Sequence, residues 1–174
     1  MYLAKVHYKD RDSLEKLTKV LKSIIEKEEP KESIYICIGT SRLIFDSLGP
    51  IVGEIIKNSD EKLKIYGLIN DNIHAENFYK KIKKIKSIHK DSNIIVIDAC
   101  SSNTYSIGSI LIKEGSVKPG AGVGKNIEEV GNYSILGVIG LYTGKFDKCL
   151  YNTELSFIKD LAEVISLSIL LANN

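Results

Sequence analysis

Two aspartates carry the chemistry this chain advertises. Asp46 closes the stretch Ile36-Cys37-Ile38-Gly39-Thr40-Ser41-Arg42-Leu43-Ile44-Phe45-Asp46-Ser47-Leu48-Gly49-Pro50, and Asp98 ends the run Ile94-Ile95-Val96-Ile97-Asp98-Ala99. Each stretch opens with a short, β-branched apolar run followed by a polar turn, the pattern of a buried strand. In an open α/β sheet the loops at the carboxyl ends of the strands form the ligand crevice. If the two strands are neighbours, both aspartates face one crevice. Two carboxylates held close together do not both ionise easily, so one keeps a proton while the other acts as a base. That is acid/base equipment for hydrolysis.

The simpler roles of these residues are equally definite. Asp46 stands before a helix and suits an N-cap. Asp98 ends a strand before a turn, where Asp commonly bonds the backbone. His74 opens a predicted helix after the next strand, on the same edge. It is a third polar group for the crevice, a metal ligand beside the aspartates, or a solvated or capping histidine. Cys100 lies two residues after Asp98; a Cys100–His74 nucleophile pair competes with a buried structural thiol.

The segment Lys118-Pro119-Gly120-Ala121-Gly122-Val123-Gly124-Lys125-Asn126 looks like a phosphate loop but fails the test. Pro119 stands where a P-loop needs its first Gly, and Asn126 where it needs Ser or Thr. Lys125 occupies the third Gly position of GxGxxG. Two readings remain: a tight turn requiring positive φ, or N–H groups around Gly120 and Gly122 that hold a substrate backbone or an oxyanion.

The elements that must position these groups follow from periodicity. A helix is predicted from Asp12 or Ser13 to Pro30, then a strand over about 34–38. A helix with Pro50 in its first turn follows, then a strand over 63–66. An amphipathic helix spans His74 to Ser87, and a strand ends at Asp98. Strands are expected at 105–112 and 133–141, and a last helix from about Thr153. Nothing regular is expected before Asp12. The order predicts a three-layer α/β/α sandwich with a mostly parallel sheet and an antiparallel edge, built as one domain over residues 1–174.

Composition bounds the partners. The 174 residues are 44% hydrophobic and 26% charged, with net charge +2, so nothing favours nucleic acid or membrane. The lysines from Lys80 to Lys86 read as a solvated helix face without interleaved aromatics. Three cysteines at spacings that match no zinc or CxxC pattern fit a reducing, cytoplasmic compartment. The amino terminus lacks the apolar run of a signal peptide. The run 155–171 contains Lys159, Asp160 and Glu163, which argues against a membrane span.

Three segments together resemble the sporulation protein YyaC family: Cys37-Ile38-Gly39-Thr40 with Asp46-Ser47-Leu48-Gly49-Pro50, then Val96-Ile97-Asp98-Ala99, then Lys118 to Lys125. Asp71-Asn72-Ile73-His74-Ala75 matches a further YyaC-like stretch. That family resembles the germination protease of spore-forming bacteria and, more remotely, the hydrogenase maturation proteases. The resemblance implies a phosphorylase/hydrolase-like fold and an aspartic-type peptidase site at Asp46 and Asp98. Gly39, Thr40, His74, Gly120 and Gly122 would bind substrate. It further implies no cofactor, small spore proteins as substrates and a place in the forespore or spore interior. Association into a homo-oligomer stays open. In the hydrogenase maturation proteases the matching acidic positions bind the substrate's metal, so a metal-dependent hydrolase is an alternative. The family's loop reads Gly-Thr-Asp-Arg-Ser-Thr-Gly-Asp. Here Ser41 replaces the acidic residue, and Leu43, Ile44 and Phe45 replace the small stretch. That change is the feature favouring a non-catalytic binding or regulatory protein.

Overall fold

The computed structural model describes residues 1–118, 128–142 and 148–174. The elements run β1 (Tyr2–His7), α1 (Ser13–Glu28), β2 (Ser33–Cys37), α2 (Leu48–Ser59), β3 (Lys64–Tyr66), α3 (Phe78–Ile88), β4 (Asn93–Ser102), β5 (Ser109–Glu114), β6 (Tyr133–Leu141) and α4 (Leu155–Ala172). The six strands form one sheet in the order β1-β5-β6-β4-β2-β3. β5 is antiparallel to both its neighbours, and β6, β4, β2 and β3 are mutually parallel. The expected sandwich with a mostly parallel sheet and an antiparallel edge is the architecture observed.

Strand alternation sorts the core into two faces. Tyr35 and Cys37 of β2 and Ile95 and Ile97 of β4 point to one face. There they meet Leu17, Leu21 and Ile24 of α1, Leu48, Val52 and Ile56 of α2, and Ile158, Leu161, Ile165 and Ile169 of α4. Ile34 and Ile36 of β2 and Ile94 and Val96 of β4 point to the other, against Phe78, Ile82 and Ile85 of α3. Each helix buries the stripe that its 3.6-residue period lines up. Both faces of β2 and β4 are covered, which is why these strands read as unbroken apolar runs.

Several boundaries differ from expectation. The stretch before Asp12 contains a strand, β1. Its Val6 is buried and its Leu3 and Ala4 pack against the helical face, but its pairing partner β5 lies about a hundred residues away. α3 starts at Phe78 rather than His74, because the Asn77 side chain accepts the His74 N–H at 3.0 Å and closes a turn first. β5 starts at Ser109 rather than Tyr105: Ser102 Oγ takes the N–H groups of Thr104 and Tyr105, at 3.0 and 2.9 Å, and Gly108 turns the chain at φ +91°. The expected Asp12 cap is also absent; Asp12 holds the N-cap place of α1 but pairs with Lys16 at 2.6 Å instead. Among the described residues no helix is long and apolar enough to cross a membrane.

Candidate functional site

β2 and β4 are direct neighbours, in register from Ser33 with Asn93 to Cys37 with Ile97. Asp98 is the first residue of β4 beyond that pairing. Alternation places it, with Cys100, on the face of Ile94 and Val96. Past β2 the chain turns sharply. Ile38 N–H still donates to Ile97 O at 2.8 Å, but Gly39 N–H donates to Ile73 O and Thr40 N–H to Asp46 O, both at 2.8 Å. Residues 40–46 thereby form a closed loop ending in a 3-10 turn, Ile44–Asp46.

Gly39 makes that closure possible. Its φ is +135°, and a Cβ built on it would overlap the Asp46 carbonyl oxygen, so only Gly brings Asp46 back over the end of β2. Gly49, in the first turn of α2, is similarly tight: a Cβ there would overlap Ile38 O. Asp46 is not the N-cap of α2. Ser47 holds that place, and its Oγ donates to Ile44 O at 2.7 Å.

The electrostatics of the two carboxyls follow from this placement. Both residues are half-buried. Burial pushes Asp46 up to about 6, and the Thr40 N–H partly offsets the rise. Asp98 is held well above the ordinary carboxylate range, first by burial and then by the negative charge of Asp46; the Ala99 N–H acts in the opposite sense. The turn-bonding role foreseen for Asp98 is absent, because β4 does not end there; its backbone contact is with Ala99 of the same strand, and it is outweighed by burial and charge. Asp46, at about 6, is mostly ionised near neutral pH, whereas Asp98 is pushed toward its protonated form.

The remaining expected site residues fall as follows. Gly39 and Thr40 border the loop that carries Asp46. His74 directly follows Ile73, whose carbonyl accepts the Gly39 N–H. Its Nδ1 accepts the Glu76 N–H at 3.3 Å, so the ring is anchored in its own turn. Asp46, Asp98 and His74 do not converge as a three-ligand set, and no other such group of His, Cys, Asp or Glu occurs among the described residues. Gly120 and Gly122 lie outside the described residues. Burial and the charge of Asp98 push the Cys100 thiol up to about 12, with Lys113 acting against the shift. Such a thiol is not an activated nucleophile, which removes the Cys100–His74 pair. Cys37 is buried in the core and its thiol is likewise pushed up.

Two surface grooves lie elsewhere. One, of about 260 Å³, is bounded by Met1, Val20, Lys27, Glu114 and Tyr133; the other, of about 230 Å³, by Tyr79, Ile82, Lys83 and Glu128. Neither includes an aspartate of the pair. Sequence reasoning missed one feature beside the site. β4 continues to Ser102, where the Ser-Ser-Asn-Thr cluster reads as a turn.

The chain belongs to the family described as "Protein of unknown function (DUF1256)", which matches residues 5–168. It is 35% identical over 162 residues to the "Uncharacterized protein YyaC" of Bacillus subtilis (strain 168), a match covering 92% of this chain and 79% of that protein.

Proposed function

We propose that this YyaC-like chain is a peptidase that uses Asp46 and Asp98 as an aspartic dyad. The observation that carries this reading is the unequal pair: two half-buried carboxyls, Asp98 on β4 and Asp46 on the loop after the neighbouring β2, both raised by burial and Asp98 raised further by the charge of Asp46. In the reaction Asp46 takes a proton from water as the water oxygen bonds to the scissile carbonyl carbon. Asp98 gives its proton to the carbonyl oxygen. The resulting diol returns one proton to Asp98 as it collapses. The C–N bond breaks, and the proton held by Asp46 passes to the leaving amine. Gly39 and Thr40 shape the loop that aims Asp46. Small spore proteins are the substrate class suggested by resemblance to the germination protease, and fold-level analogy is the whole of that argument.

The test is incubation of the purified chain with small spore proteins and with an unfolded protein, products being read by mass spectrometry. Defined fragments from the native chain, and none from Asp98→Asn or Asp46→Asn, support the reading. Equal cleavage by native and variant chains, or none by any of them, overturns it. A second reading, a non-catalytic binding protein on the same fold, has its own observation: Leu43 and Ile44 of the altered loop are 38% and 43% exposed. It expects stable retention of a partner with no product.

A further inference from the structure

β4 outruns β2. Its last pair with β2 is Ile97 with Cys37, whereas its pairing with β6 continues to Ser102 with Leu141. Residues 98–102 of β4 thus extend past the point where β2 turns away at Gly39. Backbone groups alternate from side to side along a strand. Ile97 O faces β2, accepting the Ile38 N–H, and Ser102 O faces β6, accepting the Tyr142 N–H at 3.1 Å. By that alternation Ala99 and Ser101 present their N–H and C=O to the side β2 has vacated. The Ala99 N–H is engaged by the Asp98 carboxyl. No strand pairs with Ala99 O or with the N–H and C=O of Ser101 on that side among the described residues. All four residues from Ala99 to Ser102 are half-buried, so this edge is neither sealed in the core nor fully open to solvent.

We propose that the overhang Ala99–Ser102 is a main-chain binding edge for an extended segment of an unfolded polypeptide, which it lays beside Asp46 and Asp98. The inference rests on the peptidase reading, since it says how the substrate of that site is held. A strand edge is matched by donors and acceptors at strand spacing, which an extended peptide supplies. Residues 99–102 offer about 13 Å of edge at roughly 3.3 Å per residue. Leu43 and Ile44, exposed on the loop that ends in Asp46, favour a segment with large apolar side chains at alternate positions. A folded substrate has no free strand to give, so the edge selects unfolded or locally unfolded chains.

The test uses the full chain carrying Asp98→Asn, which the peptidase reading expects not to cut. Reduced, carboxymethylated α-lactalbumin is the unfolded probe, and amide hydrogen exchange is followed residue by residue. Exchange at Ser101 is expected to slow by about tenfold or more with the probe present, while β1 and β3, the outer strands of the sheet, are unchanged. No slowing at Ser101 at the highest soluble probe concentration overturns the proposal. Ser101→Pro removes one N–H from the open edge and leaves the bonds of Cys100 and Ser102 toward β6 in place; it is expected to abolish probe binding. Should that variant not fold, the exchange result on Asp98→Asn decides alone. Cleavage of the probe by the native chain without protection at Ser101 overturns the edge and leaves the peptidase. Protection at Ser101 without cleavage by the native chain overturns the peptidase and leaves the edge.

Discussion

At the scale of single residues, the site is held at a cost to the fold. Asp98 has an ordinary value of 3.8 when unfolded and a far higher one when folded. Between the two the native state holds the extra proton, so stability falls as pH rises through that window. Asp98→Asn is therefore expected to abolish cleavage and to raise Tm at neutral and alkaline pH. A fall in Tm would mark Asp98 as a structural residue. Asp46→Asn acts in the same sense over the window from 3.8 to about 6. Above that window it is expected to gain about 1–3 kcal/mol of stability in denaturant unfolding, partial exposure included. On the proposed peptidase reading the active form needs Asp46 ionised and Asp98 protonated. The expected rate profile rises through about pH 6 and falls again as Asp98 loses its proton, a bell read directly from cleavage rates. Both aspartates were legible as candidates from their place after strand-like runs. Their unequal protonation was not, because it arises from burial and mutual charge, which only the folded geometry sets.

At the scale of elements, glycines decide where the loop of residues 40–46 lies. Gly39→Ala must accommodate both a φ of +135° and a Cβ overlapping Asp46 O. It is expected to lose about 2–4 kcal/mol in denaturant unfolding and to lose cleavage with it. Gly115→Ala is the control for backbone strain alone. Its φ is +108°, but nothing lies within 4 Å of the added Cβ, so the expected loss is about 1 kcal/mol with cleavage intact. α1, α2 and α4 were readable because each carries a stripe that meets one face of the sheet. The start of α3 was misread at His74 because a side chain, Asn77, takes a backbone N–H in competition with the helix. The overhang of β4 was invisible for a related reason: Ser102 serves both as strand end and as acceptor for the following turn.

At the scale of the whole molecule, the two ends of the chain are tied into the sheet. β1 pairs with β5, and at the far end Asn173 Nδ2 donates to the hydroxyl of fully buried Tyr35 at 2.8 Å. Asn173→Ala leaves that hydroxyl unpartnered and is expected to cost about 1–3 kcal/mol. In Tyr35→Phe the same Asn change should cost markedly less, which a double-mutant cycle in denaturant reads out. Layer class and five of the six strands were foreseeable from alternating periods, but β1 and the order of the strands were not. β1 and β5 find each other only through a register set by distant residues, so a half-polar edge strand left no local signal.

The sheet order β1-β5-β6-β4-β2-β3 also has a consequence for synthesis. β6 joins β5 to β4 across the middle of the sheet, yet it is the last strand to leave the ribosome, and α4, which covers the helical face, follows it. Until then β1 and β5 lack any hydrogen-bonded link to the parallel strands, and α4 is missing from the helical face that α1 and α2 cover only in part. The sheet of this molecule therefore closes only once β6 and α4 have emerged, with most of its pairings distant in sequence. Its most vulnerable moment, when holding chaperones would engage it, falls between the emergence of Ile97 and that of Ala172.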